Sequence, residues 1–491
     1  MTQPLAPKMI TKLKEYFSGL SAPAYLVGGY LRDSLLSLPP LRDVDIALSA
    51  DSQVVGRDLA LAVGGSFVPL SPDHGIARVV VEDSGAGPWK VDLVTLPGSI
   101  EEDLARRDFT IDALALPLSN WTSPVPRELV IDPFNGRHDL LNKCVRAVSP
   151  HVFRDDPGRL LRSVRLAASL RFRLEPQTAR QVVADASHIS RVALERVRDE
   201  FLAILALDGA KGSLEVLDRL DLLCRVVPEL AEAKGVEQPQ VHYWDVWGHL
   251  MHSVESAEGI TKGHQHSPIY TLVYWTAETD AHFSQQVGDG HSRRTLLKLA
   301  ALFHDIAKPR TKQVDETGRT RFPGHSETGA AMAAQRLANL RIGSRGVAMV
   351  SKMVEHHLRP GHMMQGVELP TQRAIYRYFR DLKDVAIDTL YLCQADYLAA
   401  KGPELDPEAW ASHARMITHI LQVGSQPVVS GSCHRLVDGN ELMQHFKLGP
   451  GPVIGLMLDR VEEARAAGEI ATREDALALV AQNLAQYRAG D

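Results

Sequence analysis

Two aspartates separated by one residue have a spacing that suggests chemistry. Asp43 and Asp45 lie in the segment RDVDIAL, which reads as a β-strand. On a strand, residues i and i+2 point to the same face, and two adjacent carboxylates repel each other unless a cation lies between them. This arrangement suits Mg²⁺, and two-metal sites promote in-line phosphoryl or nucleotidyl transfer. We therefore predict that Asp43 and Asp45 are catalytic metal ligands.

A glycine pair upstream of these aspartates predicts a phosphate site. Gly28 and Gly29 end the apolar run AYLVGG and precede a helix-like segment. Without Cβ atoms the backbone can approach a phosphate closely, and a helix N-terminus offers unpaired N–H groups. Arg32 would lie one turn into that helix, where its guanidinium can bind phosphate oxygens. We assign these three residues to nucleotide binding.

A second segment, RRDFTIDALAL, combines a cation and a carboxylate at a predicted helix start. The pattern predicts a helix from Phe109 to Leu116, with Asp108 as its N-cap. Arg107 could then reach a triphosphate, and Asp108 could accept a hydrogen bond from a ribose hydroxyl. The alternative is a capped helix whose arginines are simply solvated.

A third segment, RDDPGRLLRSVRLAASLRF, predicts an arginine-rich helix. Asp156 is the predicted N-cap and Pro157 the first helical residue, and Arg159, Arg162 and Arg165 recur every three residues. Asp156 and Arg159 together offer the acceptor and donor edges needed to read a base. The alternative is an amphipathic helix with a basic, solvated face.

Side chains that commonly bind metals are concentrated between residues 241 and 400. The main set, in chain order, is His249, His304, Asp305 and Asp396. Candidates for a second metal are His325 and one of His356 and His357. Adjacent His and Asp residues can bind one divalent ion only if a helix end directs both into one pocket, with distant residues completing the shell.

The motifs of the first 173 residues resemble known nucleotidyltransferases. The Gly-Gly-x-x-Arg-Asp and Asp-x-Asp elements resemble the head of the DNA polymerase β superfamily. Members of that superfamily often use a third carboxylate on a later strand, and the resemblance makes Asp92 in KVDLV the candidate, the alternative being a surface-facing strand residue. RRDFTIDA, DPFNGRHDL and RDDPGR then follow in the order typical of class II tRNA nucleotidyltransferases and poly(A) polymerases. Asp112 stands where that family usually has Asn, and Asp155 where it has Glu. The resemblance implies Mg²⁺-dependent addition of C, C and A to tRNA 3′ ends from CTP and ATP.

The histidine-rich region resembles the HD phosphohydrolase superfamily. His, His-Asp and Asp occur in that superfamily's order, although Ala307 replaces the glycine that often follows the His-Asp pair. The resemblance implies a divalent transition metal such as Ni²⁺, Co²⁺ or Mn²⁺, and a phosphomonoester or 2′,3′-cyclic phosphate substrate. Some CCA-adding enzymes carry an HD domain after the neck, which agrees with its position here.

The elements that must position these residues predict an α+β fold. Strands are expected at residues 24–29, 44–48, 77–81 and 90–96, and a helix at 31–38. We predict a polymerase-β-like head with a mixed sheet and helices, followed by an all-α neck, an HD domain and a helical tail. Their predicted ranges are 1–146, 147–240, 241–400 and 401–491. Residues 401–412 are predicted to be a linker, and a tail helix is predicted to start at residues 449–452.

Composition limits the remaining function classes. The chain has 491 residues, 45% of them hydrophobic, and a net charge of −6, so any nucleic-acid site must be a local patch. Four dispersed cysteines without a Cys-x-x-Cys pair do not suggest a disulfide framework. No apolar run approaches the length of a membrane span, so we expect a soluble cytoplasmic protein that makes no membrane contact. The oligomeric state is left open.

Three function hypotheses follow. The first is nucleotide addition to tRNA, within which poly(A) addition, A-only addition and CC-only addition share the same motifs. The second is a metal-dependent phosphohydrolase whose head only binds RNA, and the intact Asp43–Asp45 pair argues against it. The third is a non-catalytic RNA-binding protein, which the net negative charge disfavours.

Overall fold

The computed structural model describes residues 6–39, 41–83, 87–262, 267–363, 369–426, 429 and 435–490. The chain forms two compact units. The first comprises residues 1–193 and 216–225, and the second comprises residues 194–215 and 226–491. The four-part division expected from the sequence is finer than these two units and stays a prediction.

The first unit contains a mixed sheet, as predicted. Its strands are β1 (Ala24–Val27), β2 (Asp43–Leu48), β3 (Ser66–Ser71), β4 (Ile76–Val81), β5 (Trp89–Thr95) and β6 (Ala115–Pro117). The order across the sheet is β3-β4-β5-β2-β1-β6. The pair β2–β5 is parallel, and the other neighbours are antiparallel. Strand β2, which carries the predicted catalytic aspartates, is therefore central in the sheet.

Helices surround this sheet and continue after it. They are α1 (Ala6–Ser18), α2 (Gly28–Leu35), α3 (Ser52–Val63), α4 (Ile100–Ala105), α5 (Gly136–Leu141), α6 (Val152–Asp155), α7 (Arg159–Leu170) and α8 (Pro176–Asp185). Two short strands, β7 (Cys144–Val145) and β8 (Arg173–Leu174), pair in parallel. A buried cluster that includes Val27 of β1, Ala47 of β2 and Leu104 of α4 packs these three elements together.

The helix predicted from Phe109 to Leu116 is wrong. The chain makes one 3-10 turn at Thr110–Asp112 and then enters β6. Strand β6 pairs with β1 in the register Leu26↔Leu116, so the apolar residues satisfy their backbone groups in the sheet. Asp108 is accordingly not an N-cap. Phe109 occupies the N-cap position of the 3-10 turn, and its side chain makes no capping hydrogen bond.

The second unit is helical, as expected. Its helices begin with α9 (Leu194–Ala206), α10 (Ala210–Arg219) and α11 (Leu223–Val226). The residues of α10 and α11 that fall within 216–225 are assigned to the first unit. The helices continue as α12 (Val246–Ile260), α13 (Ala277–Ser284), α14 (Arg293–Phe303), α15 (Lys308–Thr311), α16 (His325–Asn339), α17 (Ser344–His356), α18 (Arg359–His362), α19 (Gln372–Leu382), α20 (Ala386–Lys401) and α21 (Pro407–Gly424). Two small hairpins pair β9 (Gln286–Gly288) with β10 (His291–Ser292) and β11 (Gln313–Val314) with β12 (Thr320–Arg321).

The end of the chain forms a helical tail with its own core. Helices α22 (Gly439–Phe446), α23 (Pro452–Ala466) and α24 (Arg473–Gly490) pack around a cluster that includes Leu442, Val461 and Val480. Helix α23 starts at the predicted Gly-Pro turn, with Pro452 in its first turn. Cys433 lies outside the described residues. Among the described helices, none combines the length and apolar character that crossing a membrane requires.

The predicted linker at residues 401–412 is only partly correct. A short 3-10 turn, Gly402–Glu404, does separate two helices, but α21 already begins at Pro407. Asp406 caps this helix by accepting a hydrogen bond from the Glu408 N–H at 3.0 Å. The Asp-Pro pair that reads as a loop signal in the sequence is therefore a helix start.

A buried ion pair holds helices of the second unit together. Glu258 on α12 lies 3.0 Å from Lys298 Nζ on α14 and accepts hydrogen bonds from the N–H groups of Gly209 and Ala210. Lys298 is 2% exposed and also donates to the Leu207 carbonyl. Burial alone would raise the pKa of Glu258, but Lys298, the Gly209 N–H and Lys262 lower it to about 2.

We expect Glu258→Gln to lower the free energy of unfolding by about 3–5 kcal/mol at pH 7, because it leaves the Lys298 ammonium buried without a counter-charge. The contribution of a carboxylate with a lowered pKa is complete above its unfolded pKa near 4.5 and is lost as the pH falls through about 2. Chemical denaturation from pH 7 down to pH 2 should therefore show a shrinking difference from wild type. Exposed Glu404→Gln is the control, and an equal loss in both variants would contradict this role.

Candidate nucleotide and metal sites

The predicted carboxylate pair lies at the start of β2. Asp43 is exposed, Asp45 is half-buried, and Val44 between them points into the core. Gly28, which follows β1, has φ +69°, and a Cβ there would come within 2.4 Å of Asp45 Oδ2. This position therefore requires glycine both for its backbone conformation and for the close approach of the Asp45 carboxylate.

The charge around Asp45 indicates a place for a cation. Loss of hydration is the largest cause that raises the pKa of Asp45 to about 6; Arg107 opposes the rise, and Asp92, Asp112 and Asp43 add to it. A half-buried carboxylate surrounded by other carboxylates is stabilised in its ionised form by a divalent metal. The donor set, made only of carboxylate oxygens, fits a hard cation.

Asp92 lies beside Asp45 but already has a partner. The parallel register of β2 and β5 pairs Asp45 with Asp92. Both Asp92 oxygens accept hydrogen bonds from Arg78, from Nε and Nη2, each at 2.7 Å. Arg78, which the sequence reasoning missed, therefore competes with any metal for these oxygens, and the role of Asp92 stays a prediction.

Arg32 is held by two carboxylates. It is 8% exposed, and its Nε and Nη1 lie 2.7 Å from Asp33 Oδ1 and Asp112 Oδ1, respectively. Burial is the largest cause that raises the pKa of Asp112, and Arg32 is the largest that opposes it. Asp112 Oδ2 is buried without a hydrogen-bond partner. The negative charge of Asp112, which stands where the family usually has Asn, is thus balanced by the Arg32 guanidinium.

Arg107 and Asp108 lie next to this pair. Arg107 Nε donates to Asp103 at 3.1 Å, and its Nη1 donates to the Asp112 carbonyl at 3.3 Å. Asp108 Oδ2 accepts from Arg162 Nε at 2.6 Å. The second and third predicted segments are therefore joined by a direct ion pair between Asp108 and Arg162.

The arginine-rich helix α7 begins slightly later than predicted. Gly158 is its N-cap, and Arg159 is its first residue. Asp156 has extended backbone and ends α6, so it is not the N-cap, although its Oδ1 does accept the Gly158 N–H at 3.0 Å. Arg159 lies with Nε 3.9 Å from Asp156 Oδ2 and donates from Nη2 to the Arg106 carbonyl. The predicted base-reading pair is therefore adjacent in space, and Arg165 lies on the same helix.

The histidines and aspartates of the second unit form one buried cluster. The ligand atoms of His249, His304, Asp305 and Asp396 all lie within 4.8 Å of one another. His249 comes from α12, His304 follows the last residue of the apolar helix α14, and Asp396 comes from α20. The His304–Asp305 pair thus lies at a helix end, as the sequence predicts. Ala307 has φ −89°, a conformation open to any residue, so its replacement of glycine causes no backbone strain.

Asp305 faces two ligand groups with its two oxygens. Oδ2 lies 3.2 Å from His249 Nε2 and 3.3 Å from His304 Nε2. Oδ1 lies 3.3 Å from His325 Nε2 and 3.7 Å from His357 Nε2. A carboxylate in this position can bridge two metal ions.

The second group of potential ligands contains His357 and not His356. Asp305, His325 and His357 form a group of potential ligands, whereas the His356 ring lies beside Glu355, with 3.9 Å between His356 Nε2 and Glu355 Oε2. Asp305 Oδ1, His325 Nε2 and His357 Nε2 are all buried and have no hydrogen-bond partner. Buried polar atoms normally have partners, so three that converge fit a metal ion.

Charge in the cluster agrees with this fit. Burial lowers the pKa of His304, but Asp305 and Asp396 outweigh it and raise the pKa to about 10. Burial lowers the pKa of His357 to about 4, which keeps its ring neutral and able to bind a metal. The cluster therefore favours positive charge at its centre. Mixed nitrogen and oxygen ligands suit a transition metal better than Mg²⁺.

The sheet and the aspartate pair of the first unit lie within a segment that matches a known polymerase family. Residues 24–146 match the Poly A polymerase head domain. Residues 171–234 match the family described as Probable RNA and SrmB- binding site of polymerase A, and residues 274–401 match the HD domain. His249, which the sequence predicts as part of this set, lies outside the HD match, and its side chain lies within the cluster.

Relatives of nearly full length define the family. An A-adding tRNA nucleotidyltransferase of Deinococcus radiodurans is 35% identical over 468 residues, covering 93% of this chain and 94% of that protein. A CC-adding tRNA nucleotidyltransferase of Geobacter sulfurreducens is 38% identical over 481 residues, covering 92% and 90%. The chain belongs to the tRNA nucleotidyltransferase family. The Thermotoga maritima CCA-adding enzyme complexed with tRNA shares the fold, with 18% identity, a TM-score of 0.61, and coverage of 98% of this chain and 96% of that one.

Proposed function

We propose that the protein adds C, C and A to tRNA 3′ ends from CTP and ATP. The observation that carries this proposal is the Asp43–Asp45 pair on central strand β2, with Gly28 packed against the Asp45 carboxylate. Asp43 and Asp45 would hold Mg²⁺ at this position. When bound, Mg²⁺ activates the 3′-hydroxyl and neutralises charge on the leaving pyrophosphate. The required tRNA and triphosphates make the cytoplasm the proposed location.

The remaining residues of the first unit would orient the nucleotide. Gly28 leaves room for the Asp45 carboxylate that would hold the metal beside the phosphates, and Gly29 would allow a phosphate to approach the backbone. Arg32 and Arg107 would supply positive charge near them. Asp108, held by Arg162, would accept a hydrogen bond from the ribose. On α7, Asp156 and Arg159 would read the base, with Arg165 on the same helix. The proximity of Asp156 and Arg159 supports this division of roles.

A tRNA-extension assay tests the proposal. Transcripts that end before the first C, after C and after CC are incubated with CTP alone, ATP alone and both. CCA addition predicts that all three transcripts are completed when both nucleotides are present. No extension of any transcript would overturn nucleotidyl transfer to tRNA.

Single-specificity addition is the second candidate, and the names of the relatives favour it. The two relatives described above are named A-adding and CC-adding tRNA nucleotidyltransferases, respectively. An A-adding enzyme would extend only the transcript ending in CC, and a CC-adding enzyme would stop before A. Continued addition of A beyond the first would instead indicate poly(A) polymerase activity.

Arg159→Ala should alter the choice of nucleotide. Loss of a bidentate base contact costs roughly 1–3 kcal/mol of discrimination, or about 5- to 150-fold in the CTP-to-ATP ratio of kcat/KM. Single-turnover incorporation with each triphosphate measures this ratio. Arg173→Ala, at an exposed position on β8, is the control. Equal losses for CTP and ATP would mean that Arg159 contacts phosphate and not the base.

We also propose that the second unit is a metal-dependent phosphohydrolase acting on a phosphomonoester or a 2′,3′-cyclic phosphate, such as a damaged tRNA end. Its support is the bridging position of Asp305 between two ligand groups. His249, His304, Asp305 and Asp396 would hold one ion, and Asp305, His325 and His357 a second. Ni²⁺, Co²⁺ or Mn²⁺, when bound, would polarise a phosphoryl oxygen and lower the pKa of a bound water.

A further inference from the structure

A closed loop lies against the histidine–aspartate cluster. The Gly235 N–H donates to Asp245 Oδ2 at 2.8 Å, and the Val246 N–H donates to the Val236 carbonyl at 2.9 Å. These bonds bring the two ends of residues 235–246 together, as in compact Ω-type loops. Asp245 also caps α12 by accepting the Gly248 N–H at 2.7 Å. The 235–246 loop is thus fixed to the helix that carries His249.

One lysine connects this loop to the cluster. Lys308 Nζ lies 2.5 Å from Asp305 Oδ2, donates to Gln238 Oε1 at 2.6 Å, and lies 3.4 Å from His242 Nε2. The Gln238 amide is oriented by its own hydrogen bond to the Trp244 carbonyl. Lys308 is 5% exposed, so the loop and the cluster together enclose its ammonium group.

His242 has a nitrogen with unused hydrogen-bonding capacity. A lysine ammonium can only donate, so His242 Nε2 must accept and Nδ1 must carry the ring proton. His242 Nδ1 is buried and has no hydrogen-bond partner. The His242 ring lies 5.1 Å from the His249 ring, nearly perpendicular to it. A donor without an acceptor therefore lies beside a residue of the proposed metal site.

We infer that the 235–246 loop forms the phosphate-binding side of this metal site. His242 Nδ1 donates to a phosphoryl oxygen of the substrate. Lys308 fixes the His242 tautomer by donating to Nε2, and Gln238 holds Lys308 in position. A phosphoryl group is an anionic acceptor and supplies the partner that the His242 Nδ1–H lacks. This inference rests on the proposed phosphohydrolase function, and it assigns roles to loop residues outside the two ligand groups.

Inorganic phosphate binding tests the inference without requiring hydrolysis. The full chain is loaded with Mn²⁺ or Co²⁺, its metal content is measured, and phosphate affinity is determined by calorimetry. His242→Ala and Gln238→Ala should each weaken phosphate binding about tenfold or more at unchanged metal content, with a matching rise in KM for a 2′,3′-cyclic phosphate. His242→Gln keeps an amide near the ring position and should restore part of the affinity. Gln240→Ala, exposed on the same loop, should bind like wild type.

The outcomes separate the loop inference from the hydrolytic proposal. Wild-type phosphate affinity in His242→Ala would overturn the inference, and so would loss of metal from that variant, since the loop would then serve metal retention. Weakened phosphate binding in the loop variants with no hydrolysis by wild type would support the inference and overturn the hydrolytic proposal. An unchanged circular dichroism spectrum and thermal unfolding transition confirm that each variant is folded.

Discussion

Replacing Asp45 with asparagine is expected to lower nucleotide incorporation by about three orders of magnitude, equivalent to roughly 4 kcal/mol of lost transition-state stabilisation. The side chain keeps its size, so its packing against Gly28 is preserved. What is lost is one negative charge at a site where burial and neighbouring carboxylates already raise the pKa of Asp45 to about 6. Asp43→Asn should have a similar effect through the same metal. Single-turnover incorporation into truncated tRNA measures both.

Two controls distinguish this loss from misfolding. Asp58→Asn changes an exposed carboxylate on α3 and should leave incorporation unchanged. Binding of tRNA to the Asp45 variant should remain close to wild type, because the aspartates contact the metal and not the body of the RNA. Incorporation at the wild-type rate by either aspartate variant would refute the metal assignment in the first unit.

Asp305→Asn is expected to remove metal binding and hydrolysis from the second unit together. Because its two oxygens face separate ligand groups, this one residue contributes to both proposed ions. Losing a bridging carboxylate also removes a buried negative charge that offsets the positive ions. We expect the bound transition metal to fall to near zero in elemental analysis, and the hydrolytic opening of a 2′,3′-cyclic phosphate to its phosphomonoester to fall by about 10³-fold or more.

The two sites should respond independently. Asp45→Asn should hydrolyse the cyclic phosphate like wild type, and Asp305→Asn should still extend tRNA. Asp280→Asn, an exposed carboxylate of the second unit, should retain its metal. Full metal occupancy in Asp305→Asn would show that the metal does not need this carboxylate. Hydrolysis that persists in Asp305→Asn would exclude the proposed site.

Local patterns in the sequence determined the parts of each site that lie on one element. The alternation of a strand predicted that Asp43 and Asp45 share a face, and the apolar helix ending at Phe303 predicted that His304 and Asp305 project together. The order of motifs predicted the family, which the relatives confirm. These inferences succeed because the periodicity of an element fixes the positions of residues only a few places apart.

Tertiary structure decided the contacts between distant residues that no motif or local pattern indicates. Adjacent His356 and His357 are equivalent in the sequence, and only the packing of α17 directs His357 into the cluster. The segment from Phe109 has helical periodicity, but pairing with β1 makes its end a strand. Pairing of Arg78 with Asp92 and of Arg32 with Asp112 likewise depends on register and packing across the fold. Such contacts join residues up to 80 positions apart, and the energy that selects them comes from burial and charge pairing, which have no local signal.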